Sequence, residues 1–266
     1  QVVNILFSVL LVFGLKWRIA GVAWGSVAGD LCAFLIYSLI AVRLLRSNLY
    51  TVNHRLIPSL WHYVQLALPL VIRTFTLLFA FNYFARLGLS LGADTVAANA
   101  VLLTFLLLIS SGLDGFANAA ETLVGTASGQ EDSAAIKQGI VATGVWSMVM
   151  ALMLTLVFAL FHVPLIHLLT DLPPVRQLAE RYAMWMILMP LYTWWAYWLD
   201  GVFIGLQWVR AMRNVLLISV FGVYWPLSLL LPITNNHAIW GLFAAMMALR
   251  SGLMLGLLGR RWHRLV

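Results

Sequence analysis

Long apolar stretches recur along the whole sequence, and only short polar turns separate them. Eight such stretches occupy residues 1–15, 19–42, 59–90, 95–128, 139–163, 177–206, 212–233 and 238–259. A helix needs roughly 20 apolar residues to cross the hydrocarbon core of a bilayer. Charged residues make up only 9% of the 266 positions, against about 25% in ordinary soluble domains. The sequence therefore predicts an all-α integral membrane protein with eight transmembrane helices, the first of them truncated.

Basic residues in the turns predict how these helices are oriented, because Arg and Lys concentrate in cytoplasmic loops. Nine follow the even-numbered helices and three follow the odd-numbered ones: Arg43, Arg46, Arg55, Lys137, Arg210, Arg213, Arg260, Arg261 and Arg264, against Lys16, Arg18 and Arg176. We therefore expect a multi-pass protein of the inner (plasma) membrane with a cytoplasmic C-terminus. This bias also explains the net charge of +7, so no nucleic-acid partner is expected.

The longest polar stretch divides the sequence into two unequal parts, with two helices before it and six after it. We assign residues 1–42 to the last two helices of a truncated N-terminal lobe, 43–62 to a cytoplasmic linker, and 63–266 to a C-terminal six-helix lobe. The chain opens at Gln1 without a signal peptide. We expect it to begin inside a longer protein.

Seven of the charged residues within the predicted spans need an explanation, because each such residue costs about 2.5–3.5 kcal/mol near the bilayer centre. Two explanations stay open. The arginines pair with acids and hold helices together, or some acids remain free to meet a moving cation. The seven residues are Asp30, Arg73, Arg86, Asp114, Glu121, Asp200 and Arg250.

The fourth helix carries the densest polar group. Asp114, Asn118 and Glu121 are spaced i, i+4 and i+7, which places them on one helix face. A carboxylate pair in an apolar helix is a candidate site for a cation, whether cargo, proton or sodium.

The sixth predicted helix also carries an acid, together with two aromatic residues. Trp194, Tyr197 and Asp200 are spaced i, i+3 and i+6, and aromatic rings beside a carboxylate suit a lipophilic cation. For Trp194, packing or a place at the membrane interface is the simpler explanation, because the chain has 12 Trp.

Glycine spacing and missing motifs limit the remaining possibilities. Small residues four apart predict close helix contacts, at Gly21/Gly25/Gly29, Gly125/Gly129, Gly201/Gly205 and Gly252/Gly256. The sequence has no GxxxxGK[ST], HExxH or GxSxG motif. We expect a non-enzyme without cofactor or metal, driven by a gradient of H⁺ or Na⁺.

Several segments together resemble the multidrug and toxic compound extrusion (MATE) family and, within it, the DinF branch. The resemblance rests on residues 113–121 (LDGFANAAE) with Gly125, 199–205 (LDGVFIG), 212–214 (MRN), 97–102 (AANAVL), Leu68-Pro69 with Arg73, and 236–240 (NHAIW). It implies a transporter of twelve helices in two six-helix lobes with cytoplasmic termini. The chain resembles helices five to twelve, so the central cavity is expected to require the missing N-terminal lobe, whose first helix carries the family's proton-coupling carboxylate.

The resemblance also implies roles for individual residues. Asp200 matches an acidic tenth-helix position implicated in cation coupling in some relatives. Other residues match polar intramembrane positions of the branch: Asp114, Asn118, Glu121, Arg73 and Arg250. We expect Asp200→Asn to abolish proton-coupled efflux.

The predicted function is a multidrug efflux antiporter that exports organic cations (xenobiotics) in exchange for protons or sodium by alternating access. Its predicted cation-coupling and substrate residues are Asp200, Asp114, Glu121, Asn118 and Tyr197, supported by an ion pair with Arg73 and Arg250. Expected partners are the lipid bilayer and organic-cation cargo, for a monomeric protein. Two alternatives remain: a lipid-linked precursor flippase, expected to line its cavity with several Arg or Lys, and a non-transporting membrane fragment with its charges paired internally.

Overall fold

The computed structural model describes residues 2–14, 17–46 and 60–262, and these residues contain helices and turns but no β-strand. The helices are α1 (Val2–Val9), continued by a π-helical turn (Leu10–Gly14), α2 (Arg18–Arg46), α3 (Leu60–Leu89), α4 (Ala93–Gly129), α5 (Ser133–Leu169), α6 (Pro173–Gly205), α7 (Val209–Leu217), continued by a π-helical segment (Ile218–Tyr224), α8 (Trp225–Leu230) and α9 (Asn236–Arg261). With directly continuous segments joined, the described residues form eight helical rods. The all-α prediction is confirmed.

Six helical segments among the described residues are long and apolar enough to cross a membrane. They are Ala23–Arg43, Ala67–Leu89, Ala93–Gly129, Ser133–Leu169, Val209–Leu230 and Asn236–Arg261. Helix α6 is not among them, although it has 33 residues. Its many Trp and Tyr residues lower its hydropathy, and much of the helix is buried against its neighbours.

The chain divides into two compact units, Gln1–Ser59 and Leu60–Val266. In the first unit, α1 and α2 pack closely: a Cβ added at Gly29 would lie 2.9 Å from the Cβ of Asn4. Helix α2 continues to Arg46 and α3 begins at Leu60, so both helices extend into the predicted linker 43–62. Its central part, 47–59, lies outside the described residues. The assignment of the units to transporter lobes stays a prediction.

The second unit is built around a close crossing of α4 and α6. A Cβ added at Gly201 would clash with the backbone carbonyl of Ala117, and one at Gly205 would lie 2.9 Å from the carbonyl oxygen of Glu121. The helices can meet this closely only because these positions lack side chains. The crossing brings the backbone next to Asp200 against the helix that carries Asp114 and Glu121.

Three other glycines of the predicted pairs behave differently. A Cβ added at Gly252, Gly256 or Gly129 would meet nothing within 4 Å among the described residues. The predicted close contact is therefore not found at these three positions. It is confirmed at the other glycines of the predicted pairs, which are Gly21, Gly25, Gly29, Gly125, Gly201 and Gly205. Spacing alone identifies positions that permit a close approach, whereas a neighbouring helix at the right depth decides which of them use it.

Candidate functional site

A cavity of about 660 Å³ lies between α3, α4 and α6, within the second unit. Apolar side chains such as Leu77, Phe81 and Leu107 form much of its wall. The predicted site residues that line it are Arg73, Asp114, Asn118, Glu121, Tyr197 and Asp200. Arg250 contacts Asp200. The structure therefore brings all seven predicted residues to one place.

Helix α4 presents two carboxylates that have no cationic partner among the described residues. Asp114 and Glu121 are both exposed, and neither forms a salt bridge with a described residue. The hydroxyl of Ser110 donates a hydrogen bond of 3.2 Å to Oδ2 of Asp114. Sequence reasoning missed Ser110 as a site residue, although its i−4 spacing from Asp114 was available as a signal.

Asp200, in contrast, has two cationic partners and lies between two arginines. Nη2 of Arg250 donates to Oδ1 and Oδ2 of Asp200 at 2.6 and 2.5 Å, and Nη2 of Arg73 also donates to Oδ2. Asp200 and Arg250 are 6% and 3% exposed, whereas the Arg73 side chain keeps 21% of its surface exposed towards the cavity.

This arrangement resolves the open question of which acids are paired. Two guanidinium groups share one carboxylate, so the cluster carries a formal charge of +1. Both Asp200 oxygens accept hydrogen bonds from guanidinium groups, so a cation at these oxygens competes with the arginines. At Asp114 and Glu121 a cation meets no such competition from the described residues.

The two aromatic residues singled out on α6 have different surroundings. Tyr197 lines the cavity. Trp194 is 5% exposed, and its ring centroid lies 3.9 Å from that of Trp195 and 5.9 Å from that of Trp198. Trp194 is therefore a packing residue. Its surroundings differ from those of Tyr197 because a spacing of i, i+3 separates two side chains by about 60° around the helix.

No group of three or more His, Cys, Asp or Glu residues able to hold a metal ion occurs in the part of the chain that the structure describes. The polar groups that line the cavity are carboxylates, an amide, a guanidinium and hydroxyls, and they face an apolar wall. Such groups can contact a charged molecule.

Comparison with known families now identifies the chain. The MatE family model matches residues 69–230, which include all of the cavity-lining acids. The chain belongs to the MatE family. Members of this family are transporters and not enzymes, and the resemblance to MATE proteins is confirmed.

A curated relative supports the same assignment. The chain is 34% identical over 270 residues to DNA damage-inducible protein F of Escherichia coli (strain K12). This alignment covers 99% of the chain and 58% of the relative. The chain thus spans somewhat under three-fifths of the length of this MatE protein.

Solved structures show the fold. A MOP superfamily transporter from Pyrococcus furiosus superposes with a TM-score of 0.81 at 13% identity, covering 99% of this chain and 60% of that one. The Vibrio cholerae MATE transporter VcmN in its bent form gives a TM-score of 0.76 at 15% identity, with 99% and 60% coverage. At such low identity the likeness is one of architecture.

Proposed function

We propose that the protein acts as a secondary active exporter, moving organic cations outward by alternating access in exchange for protons or sodium ions. The observation that carries this proposal is the pair of exposed carboxylates, Asp114 and Glu121, in a cavity of about 660 Å³. Neither has an ion-pair partner among the described residues. A cation entering the cavity would supply the missing counter-charge.

The overall charge of the site favours positively charged cargo. Two guanidinium groups, of Arg73 and Arg250, stand against the carboxylates of Asp114, Glu121 and Asp200, which leaves a formal charge of −1. The apolar part of the wall suits a lipophilic body, and Tyr197 adds an aromatic ring that can face a cation. The same carboxylates serve the coupling ion when the cargo has left.

The free energy that protons release on entry is sufficient to drive the export of a cation. One proton moving down a potential of 100 mV releases about 2.3 kcal/mol. Moving a solute against a tenfold gradient costs about 1.4 kcal/mol, plus an electrical term if the solute is charged. Two protons for each monovalent cation therefore drive export with a margin.

A flippase of lipid-linked precursors remains the second candidate, because the partly exposed guanidinium of Arg73 offers one contact for a phosphate. The P. furiosus structure has been described as having a binding pocket of reverse polarity that suggests a different function, so the fold alone does not set cargo charge. In this protein the cavity-lining Arg73 already pairs with Asp200, so its guanidinium is less available to a phosphate. This pairing favours the cationic cargo.

The test is transport by the full-length protein in proteoliposomes. We expect a fluorescent lipophilic cation to trigger proton release, measured with and without sodium. Asp114→Asn combined with Glu121→Gln should lower cation export at least tenfold, as expected for losing two charge contacts of about 1 kcal/mol each. Asp94→Asn provides the matched control, because Asp94 is an exposed acid of α4 outside the cavity.

The results separate the three candidates. Unchanged cation export by the double variant contradicts the proposal. Transport of a lipid-linked phosphate that depends on Arg73, without cation transport, supports the flippase. A full-length protein that moves neither cargo would identify a non-transporting membrane protein.

A further inference from the structure

A second, apolar groove lies between α5, α6 and α9 and shares no residue with the cavity described above. Its volume is about 300 Å³. We call it the tryptophan groove, and its lining residues are Ile140, Val141, Gly144, Val145, Met148, Trp194, Trp195, Trp198, Leu258 and Trp262.

The groove owes its depth to Gly144. A Cβ at this position would lie 2.8 Å from Cζ2 of Trp198, so only glycine lets the indole lie against α5. The indole is fixed there by a hydrogen bond of 3.1 Å from its Nε1 to Oγ1 of Thr143. Val141 and Val145 remain 55% and 49% exposed along the rim, which leaves the groove open to the side.

The dimensions of the groove limit what fits into it. From Ile140 to Met148 α5 rises about 12 Å. A volume of about 300 Å³ spread over this length corresponds to a mean cross-section of roughly 25 Å². The groove is therefore long and wide enough for part of a hydrocarbon chain.

A positive charge stands at one end of the groove. Lys137 lies one turn before Ile140 on α5, and its Nζ is 5.8 Å from the ring centroid of Trp262. Lys137 forms no salt bridge with a described residue. The nearby carboxylate of Asp132 caps α5 by accepting hydrogen bonds from the backbone N–H groups of Ala134 and Ala135.

We propose that the tryptophan groove binds one anionic phospholipid, with an acyl chain along α5 and the phosphate at Lys137. The apolar lining matches the acyl chain. The ammonium at the groove's end, which has no ion-pair partner among the described residues, matches the negative headgroup. Basic groups at the ends of membrane helices attract anionic lipids, and Trp residues favour the depth of the headgroups. The site is independent of the cargo cavity and of the proposed transport.

The test is lipid binding to the delipidated full-length protein, followed by native mass spectrometry. Phosphatidylglycerol and phosphatidylethanolamine with identical acyl chains are titrated separately. We expect one phosphatidylglycerol to bind more tightly than phosphatidylethanolamine. Lys137→Gln should weaken phosphatidylglycerol binding about fivefold, which corresponds to the loss of about 1 kcal/mol for one basic group near a membrane surface.

Two matched controls test whether the effects on lipid binding are specific to the groove. Arg210→Gln removes an exposed basic residue at the start of α7, outside the groove, and should leave binding unchanged. Val145→Phe fills the groove and should weaken both lipids, whereas Leu152→Phe, at an equally exposed position of α5 outside the groove, should weaken neither.

Three outcomes overturn the proposal. The first is equal binding of the two lipids, and the second is an equal effect of Lys137→Gln and Arg210→Gln. The third is a protein dimer that Val145→Phe separates into monomers without changing lipid binding, since the groove would then be covered by a second copy of the protein.

Discussion

At the scale of single residues, Asp200 is the common counter-ion of two guanidinium groups, that of Arg250, which is buried, and that of Arg73, which is partly exposed. Replacing a whole buried ion pair by apolar residues is often tolerated, whereas removing one partner leaves a buried charge uncompensated. Arg250, at 3% exposure, has no access to solvent that would compensate for the loss of Asp200. The first consequence of losing Asp200 should therefore be structural.

We expect Asp200→Asn to destabilise the protein by about 3–5 kcal/mol, because both guanidinium groups lose their anion. The measurement is thermal unfolding of the full-length protein in detergent, followed by tryptophan fluorescence. Adding Arg250→Met to Asp200→Asn should recover part of the loss. Asp114→Asn is the control and should change stability little, because Asp114 is exposed. Equal unfolding temperatures for Asp200→Asn and Asp114→Asn would contradict this account.

This expectation also changes how the loss of transport in Asp200→Asn should be interpreted. If the variant exports no cation but is also unstable, the loss says nothing about coupling. The carboxylates of Asp114 and Glu121 offer the cleaner test of transport, because each can be neutralised without leaving a buried arginine alone.

The position of a residue on a helix face was predictable, because this relation is local. The shared face of Asp114, Asn118 and Glu121 follows from helix geometry alone, and all three residues line the cavity. The triple contact of Arg73, Asp200 and Arg250 joins residues 127 and 50 positions apart. Charge alone showed that such pairing was possible, but only the packing of α3, α6 and α9 decides which acid receives both arginines.

At the scale of helices, the crossing of α4 and α6 is the contact that positions the site. It depends on Gly201 and Gly205, where added Cβ atoms would meet the α4 backbone. Backbone atoms cannot yield as a flexible side chain does, so any larger residue must push the two helices apart.

We expect Gly201→Ala to lower the unfolding temperature and to reduce cation export together, because separating α4 from α6 displaces Asp200 relative to Asp114. Gly252→Ala is the matched control, since nothing lies within 4 Å of a Cβ there among the described residues. That control should be neutral or more stable by up to about 1 kcal/mol, the usual gain for Gly→Ala in a helix. Similar stability of both variants would show that the crossing tolerates a methyl group.

Helix ends were harder to predict than helices. The apolar stretch 139–163 predicts a shorter helix than α5, which runs from Ser133 to Leu169. Its first turns are polar, but Asp132 caps them by accepting two backbone hydrogen bonds. At the other end, the helix bends at Phe161, which has non-helical dihedral angles, and continues past Pro164. Hydropathy marks the part of a helix in hydrocarbon, whereas caps and bends set its full length.

At the scale of the whole molecule, the positive-inside bias predicts which side of the membrane each turn faces. The α4–α5 turn belongs to the predicted cytoplasmic set and the α5–α6 turn to the opposite one. Members of the MatE family cross the membrane several times, so every turn in the second unit tests this orientation.

Cysteine labelling of the full-length protein in intact cells measures the orientation directly. In a background with Cys32→Ser, and with any cysteine outside this sequence also replaced, Asp171→Cys should react with a membrane-impermeant maleimide. Gln130→Cys should react only after the membrane is permeabilised. Both positions are exposed in turns, so accessibility within the protein is matched. The reverse pattern would invert the proposed topology.

Membrane class, fold class and family were all predictable from the sequence, because each depends on composition or on motifs such as 113–121 and 199–205. Cargo and coupling ion were not, because they depend on how charges divide between pairs and free groups in three dimensions. Glu121 and Asp200 look alike in sequence, yet one has no ion-pair partner among the described residues and the other has two.

The shared carboxylate of Asp200 has a consequence for how the protein is made. During synthesis Arg73 enters the membrane first, its anion follows 127 residues later, and Arg250 arrives after another 50. Each intermediate on the ribosome therefore contains a charge whose final neighbours have not all emerged. The cluster of three charged residues is therefore complete only after α9 has followed α3 and α6 out of the ribosome.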